Sequence, residues 1–150
     1  MADHWYKNRN MGFLLCNILI PLFLGAYIYI YWDTDSYFGN MARIFLMVPE
    51  TNISTGAAKI MRNWGCDFLY AYALFYALYA NTKREAASIR YAVVCAVGFE
   101  SLQLIHVEGI KCGTFDVLDI VVEIAAICCG VIVLSIFNFI LQYKERRRWR

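Results

Sequence analysis

The chain has 150 residues, of which 61% are hydrophobic and 17% aromatic, and its mean hydropathy is +0.47. An ordinary soluble domain carries roughly 45–50% apolar residues, so this composition belongs to the membrane class, and the length leaves no room for a soluble domain beside a set of spanning helices. The net charge is only +2, from 14 basic and 12 acidic residues, and no nucleic-acid partner is expected.

Crossing the apolar core of a bilayer takes about 20 apolar residues, and backbone groups in lipid must be hydrogen-bonded within the segment, so runs of that length predict helices. The first is 11–32, MGFLLCNILIPLFLGAYIYIYW. It exceeds the apolar region of about 7–15 residues in a secretory leader. Asp33, Thr34 and Asp35 follow it in place of a small-residue cleavage site, so it is expected to be retained. Pro21 removes the hydrogen bond to the Asn17 carbonyl and predicts a kink. Tyr27, Tyr29, Tyr31 and Trp32 suit the headgroup level, where aromatic rings collect.

Loops of more than about 12–15 residues without structure are uncommon, so the outer connection over 33–63 is expected to have structure of its own. Residues 39–48, GNMARIFLMV, are too few to span, and 54–63, STGAAKIMRN, open on a capping serine. Both predict interfacial or re-entrant helical segments, separated by Pro49. Asn52-Ile53-Ser54 has the form of a glycosylation acceptor, which matters only in a eukaryotic secretory route that nothing else in the chain supports.

The second run, 64–80 (WGCDFLYAYALFYALYA), is the shortest and has Asp67 near its start. Its aromatic stripe, Phe68, Tyr72, Phe75, Tyr76 and Tyr79, is better read as packing than as a ligand box. The third run is 88–107 (SIRYAVVCAVGFESLQLIHV) and the fourth 115–141 (FDVLDIVVEIAAICCGVIVLSIFNFIL). Ala73 and Ala77, like Ala92 and Ala96, put small residues one turn apart, which lets helices approach closely. The expected fold is all-α: one polytopic membrane domain over 1–150, with four transmembrane helices and an interfacial or re-entrant segment between the first and second.

With four spans, ten of the 14 Lys and Arg residues fall on the side shared by both termini and the 81–90 loop, leaving Arg43, Lys59, Arg62 and Lys111 on the other. The positive-inside rule then puts both termini in the cytoplasm. The tail YKERRRWR is better read as a topology anchor against anionic headgroups than as a nucleic-acid or regulatory patch. Cys16, Cys95, Cys128 and Cys129 lie inside apolar runs as small hydrophobes. Cys66 and Cys112 both fall near the outer surface, where a disulfide and two separate thiols are both open readings.

In this topology Asp67, Glu100, Gln103, Asp116, Asp119 and Glu123 all fall in the outer halves of their helices. At about 100° per residue, Asp116 and Glu123 stand roughly 20° apart around the fourth helix and Asp119 within about 60° of both. Glu100 and Gln103 are neighbours at i and i+3. A carboxylate at bilayer depth costs about 2.5–3.5 kcal/mol and normally faces the protein interior or a wet cavity, where it is functional. Like charges this close cannot all be ionised cheaply.

Asp116 is explained equally well by the helix dipole in a first turn, as is Asp67, and Gln103 by interhelical bonding. Glu100, Asp119 and Glu123 have no such explanation. Arg62 and Lys111 are the cations at hand on the outer side. His106 is better read as a solvated loop residue than as a metal ligand. No residue is assigned to a metal, and the cofactor is left open; carboxylates would select a hard divalent cation such as Mg²⁺ or Ca²⁺.

Glu100-x-x-Gln103 near the end of one helix, then Gly113-Thr114-Phe115-Asp116-x-x-Asp119 opening the next with Glu123 beyond, resembles the VanZ-like family of small bacterial membrane proteins. Arg62-Asn63-Trp64-Gly65-Cys66-Asp67-Phe68-Leu69-Tyr70-Ala71-Tyr72 is similar to the aromatic, Asp-bearing helix start of its short members. The resemblance covers about residues 60 to 130. It implies a multi-helix integral membrane protein related to members associated with low-level teicoplanin resistance, and it carries the polar motif onto Glu100, Gln103, Asp116 and Asp119. Two positions depart from the family pattern. Glu123 stands where Asn is common, and Ala125 and Ala126 stand where a Gly follows, with Gly130 later.

These readings together predict a bacterial inner-membrane protein with a carboxylate-rich pocket open to the extracytoplasmic side. It would recognise or modify an envelope component, a membrane lipid or lipid-linked precursor, and contribute to glycopeptide tolerance. As an enzyme it would use Glu100 and Asp119 as acid and base, with Glu123 tuning both, and Gln103, Asp116, Asp67 and Arg62 binding the substrate. A small proton- or cation-coupled carrier is the rival reading, and a structural partner of a larger complex the third. Oligomeric state is left open.

Overall fold

The computed structural model describes residues 2–32, 41, 44–47, 56, 60–103 and 116–148. Among these residues the regular structure is entirely helical. Helix α1 spans Ala2–Trp32, a π-helical turn over Met61–Gly65 leads into α2, Cys66–Thr82, and then come α3, Glu85–Gln103, and α4, Val117–Arg148. Two segments, Met11–Tyr31 and Val117–Arg147, are long and apolar enough to cross a membrane, with mean hydropathies of 2.2 and 2.8.

Both long helices outrun their apolar stretches. Hydropathy marks the length that suits lipid, whereas the hydrogen-bond ladder continues through polar flanks made of good helix formers such as Gln142, Lys144, Glu145 and Arg146. The guanidinium of Arg147 lies 4.9 Å from the centre of the Tyr143 ring, one turn back, and holds this extension together. Helix α1 continues through Pro21. Four residues earlier, Asn17 donates through Nδ2 to the Phe13 carbonyl at 2.8 Å, and its Oδ1 accepts the Tyr72 hydroxyl at 2.6 Å, fastening α1 to α2.

The corner between α2 and α3 is very short, so the two helices are antiparallel neighbours. Lys83 closes α2 in the left-handed region (φ 56°, ψ 15°), and its N–H donates to the Tyr79 carbonyl at 2.9 Å. The Arg84 N–H then donates to Thr82 Oγ1 at 3.3 Å, and the fully buried Ser88 returns a hydrogen bond from Oγ to the Arg84 carbonyl at 2.8 Å. These bonds start α3 at Glu85, three residues before the apolar run at 88.

Helix α2 is the hub: it packs on α1, α3 and α4, and α3 also packs on α4. The core joins Ala71, Phe75 and Tyr76 of α2 to Ala92 of α3, Ala126, Ile127 and Leu134 of α4, and Leu14 of α1. The aromatic stripe is packing. Phe75 and Tyr76 are wholly buried, and the Tyr76 ring meets those of Phe13, Tyr72 and Phe75 at 5.7, 5.1 and 5.3 Å. Ala92 and Ala96 are both buried, whereas Ala73 is buried and Ala77 exposed, so only the pair on α3 acts as a seam of small residues.

Within the 33–63 connection, Ile44–Leu46 form a helical turn that ends at Met47 (φ 53°), whose N–H reaches the Ile44 carbonyl at 3.3 Å. Ile44, Phe45 and Met47 are 80%, 86% and 91% exposed, an apolar turn with no protein cover among the described residues. Most of the predicted interfacial segments, and residues 104–107 of the predicted third run, lie outside the described residues.

Candidate functional site

Antiparallel connection puts the start of α2, the end of α3 and the start of α4 at one end of the bundle. Four carboxylates meet there: Asp67 in the first turn of α2, Glu100 in the last turn of α3, and Asp119 and Glu123 in the opening turns of α4. Each of the four lies within electrostatic reach of the other three, and Asp119 also feels Asp116. Glu100 and Glu123 are buried, each only 4% exposed, while Asp67 and Asp119 are half-buried.

Asp116 behaves differently from the rest. It is exposed, its Oδ1 accepts the Leu118 N–H at 2.9 Å, and its carbonyl accepts the Asp119 N–H at 3.1 Å, which makes it the cap of α4. Its own N–H points to Glu100 Oε2 at 3.5 Å, a long hydrogen bond that ties the end of α3 to the head of α4. Glu100 therefore has a positioning role beside any chemical one.

Glu123 has the reverse character. Its Oε2 is buried and has no hydrogen-bond partner among the described residues. An unpaired buried acceptor costs about 1–3 kcal/mol, and more when charged, so a native fold that keeps one needs an explanation.

Tyr70 belongs to this site although the aromatic pattern hides it. One turn after Asp67, it lies within electrostatic reach of Glu123 and Cys95, and its ring stands edge-on to Phe99 of α3 at 5.9 Å. The i, i+3 spacing from Asp67 was the available signal. Tyr70 also lines a second feature, an apolar cavity of about 230 Å³ between α1 and α2 whose walls include Pro21, Leu22, Gly25, Ala26 and Cys66. There the Cys66 Sγ lies 3.7 Å from the Gly25 carbonyl oxygen. Tyr70 thus joins the carboxylates to an apolar groove.

Of the other expected site residues, Arg62 is carried on the π-helical turn just before α2, and Gln103 is the last residue of α3. Their side chains, and Lys111, His106 and Cys112 altogether, lie outside the described residues. Among the described residues no three His, Cys, Asp or Glu side chains are arranged to hold a metal ion. A cluster of four carboxyl groups offers more acceptors than donors in any protonation state, so it suits ligand groups that donate hydrogen bonds, such as hydroxyls and ammonium groups, better than a bare phosphate. Compared with known proteins, the chain matches no family, no curated protein and no solved structure at a significant level.

Proposed function

We propose that the chain is a VanZ-like membrane protein with four spans and both termini in the cytoplasm. Its carboxylate cluster binds the polar head of an envelope lipid or lipid-linked precursor from the extracytoplasmic side and so contributes to glycopeptide tolerance. The membrane reading is supported by how little of the two most apolar helices is covered: only 17% and 28% of their apolar windows are buried, whereas the core helix of a soluble fold is mostly buried. Four spans and the orientation rest on run lengths and on the distribution of Lys and Arg.

The observation that carries the site reading is the buried Oε2 of Glu123, an acceptor without a donor among the described residues and beside three other carboxylates. A hydroxyl- or ammonium-bearing head supplies that donor, and the groove beside Tyr70 offers an apolar surface to the chain attached to it. In a reaction at this site, Asp119, half-buried and beside Glu100, is the group placed to exchange a proton with the ligand.

The same oxygen favours a second reading, a proton-coupled carrier in which the missing donor is a proton moving on and off Glu123. Lipid profiling of cells with and without the chain, alongside Glu123→Gln and Asp119→Asn variants expressed at normal level, separates the two. Altered envelope lipids and lost glycopeptide tolerance support the first. Unchanged lipids together with proton-dependent flux in liposomes support the second. For the topology, single cysteines at positions 85 and 116 of a cysteine-free chain should label from the cytoplasm and from outside respectively; the opposite pattern reverses the orientation.

A further inference from the structure

We propose that the opposite end of the bundle binds one anionic phospholipid, which inserts an acyl chain into a cavity between α1, α2 and α4 and sets its phosphate against Lys83. The inference rests on the membrane reading above but not on the carboxylate site. Asp67 and Lys83 stand 16 residues apart along α2 and its cap, about 24 Å at 1.5 Å per residue.

The cavity has a volume of about 240 Å³ and is walled by Phe13 and Leu14 of α1, Tyr79 of α2, and Leu134 and Phe137 of α4. Met11 of α1, Lys83 and Asn138 complete its lining, the last two bringing a charge and an amide. Pockets for drug-sized ligands run about 300–1,000 Å³, so this one suits a single chain better than a ring system. The Phe13 and Phe137 rings stack at 3.7 Å and make a flat, rigid wall.

Charge selects the occupant. Lys83 lines the cavity and Arg84 follows it at the corner, with Glu85 next along the chain; further along α4, Lys144, Arg146 and Arg147 outnumber the Glu145 among them, and all four are exposed. An apolar interior with a lysine in its wall is complementary to an anionic amphiphile. Lys83 lines the cavity from a left-handed position (φ 56°) that glycine fills with least strain, so its side chain can be removed without disturbing the corner.

The test uses the full chain purified in an uncharged detergent and titrated with phosphatidylglycerol and with phosphatidylcholine of the same acyl chains, read by native mass spectrometry. Phosphatidylglycerol should be retained about five-fold more tightly, the worth of one lysine beside an anionic headgroup. Lys83→Gly should erase that preference while holding or raising the thermal midpoint without lipid, because glycine relieves the left-handed corner. Lys83→Asn, also tolerant of that conformation, should do the same. Equal retention of the two lipids overturns the proposal. So does a preference that survives both variants, which would belong to the basic tail, and so does oleate competing as well as phosphatidylglycerol, which would make the occupant a fatty acid. Recovery of the chain from the soluble fraction without detergent overturns the membrane reading and this inference with it.

Discussion

Phe75 lies so close to Gly130 that a Cβ on the glycine would stand 2.8 Å from the ring's Cδ1. The next residue, Tyr76, donates its hydroxyl to the Gly130 carbonyl at 3.0 Å. Helix α2 therefore meets α4 at one glycine, with a ring over its Cα and a buried hydrogen bond on its oxygen. In an unconstrained helix Gly→Ala stabilises by about 1 kcal/mol. Here the sign reverses, and Gly130→Ala should cost about 1–3 kcal/mol through overpacking. Thermal unfolding in detergent reads this directly, and Phe75→Leu in the same background should recover part of the loss. An alanine variant as stable as the parent would refute the close approach.

Tyr72 and Asn17 are joined at 2.6 Å across the α1–α2 contact. Interhelical hydrogen bonds inside membranes average about 0.6 kcal/mol and reach about 1.7. A double-mutant cycle of Tyr72→Phe and Asn17→Ala should return a coupling energy in that range, measured by reversible unfolding. Additive losses would mean that the two side chains do not bond.

Asp116 tests the difference between a cap and a binding group. Asn caps as well as Asp, so Asp116→Asn should leave both the unfolding midpoint and glycopeptide tolerance unchanged, while Asp116→Ala should cost about 0.5–2 kcal/mol. A loss of tolerance in the Asn variant at normal stability would move Asp116 into the site.

Glu123→Gln is expected to do the opposite. It removes one of four carboxylates that lie within reach of one another's charge, so the thermal midpoint should rise. Tolerance should fall, because the amide puts a donor where the ligand's donor belongs. A variant that is less stable and still fully active would show Glu123 to be a structural residue whose partner lies elsewhere.

Much of the site could be read before any fold was known. The depth of the acids in apolar runs, and their shared end once the runs are connected in antiparallel fashion, follow from spacing and connectivity alone. Pattern separated them only in part, giving Asp116 a first-turn explanation and Glu123 none. Asp116 and Glu123 lie within roughly 20° on the same helix face, yet one caps α4 in the open and the other is buried with no partner for its Oε2 among the described residues, because the first precedes the helix and the second lies beside Asp67 of α2 and Glu100 of α3. Tyr70 was harder to single out: its i, i+3 spacing from Asp67 was legible, but only the fold brings it within reach of Glu123 on a neighbouring helix.

Composition and apolar run length were enough to predict the helices and lipid-compatible segments that the described residues form, because backbone satisfaction in an apolar medium depends on each segment by itself. Helix periodicity likewise placed side chains relative to one another on a single helix. Which face each helix turns to its neighbours required the assembled bundle. That rotation is set by fits between distant residues, Phe75 on Gly130, Tyr72 on Asn17 and Phe13 on Phe137, none of which is encoded in the spacing of one segment. The rotation buries Ala73 but exposes Ala77, buries Glu123 beside Asp67 and Glu100, and opens the cavity beside Lys83.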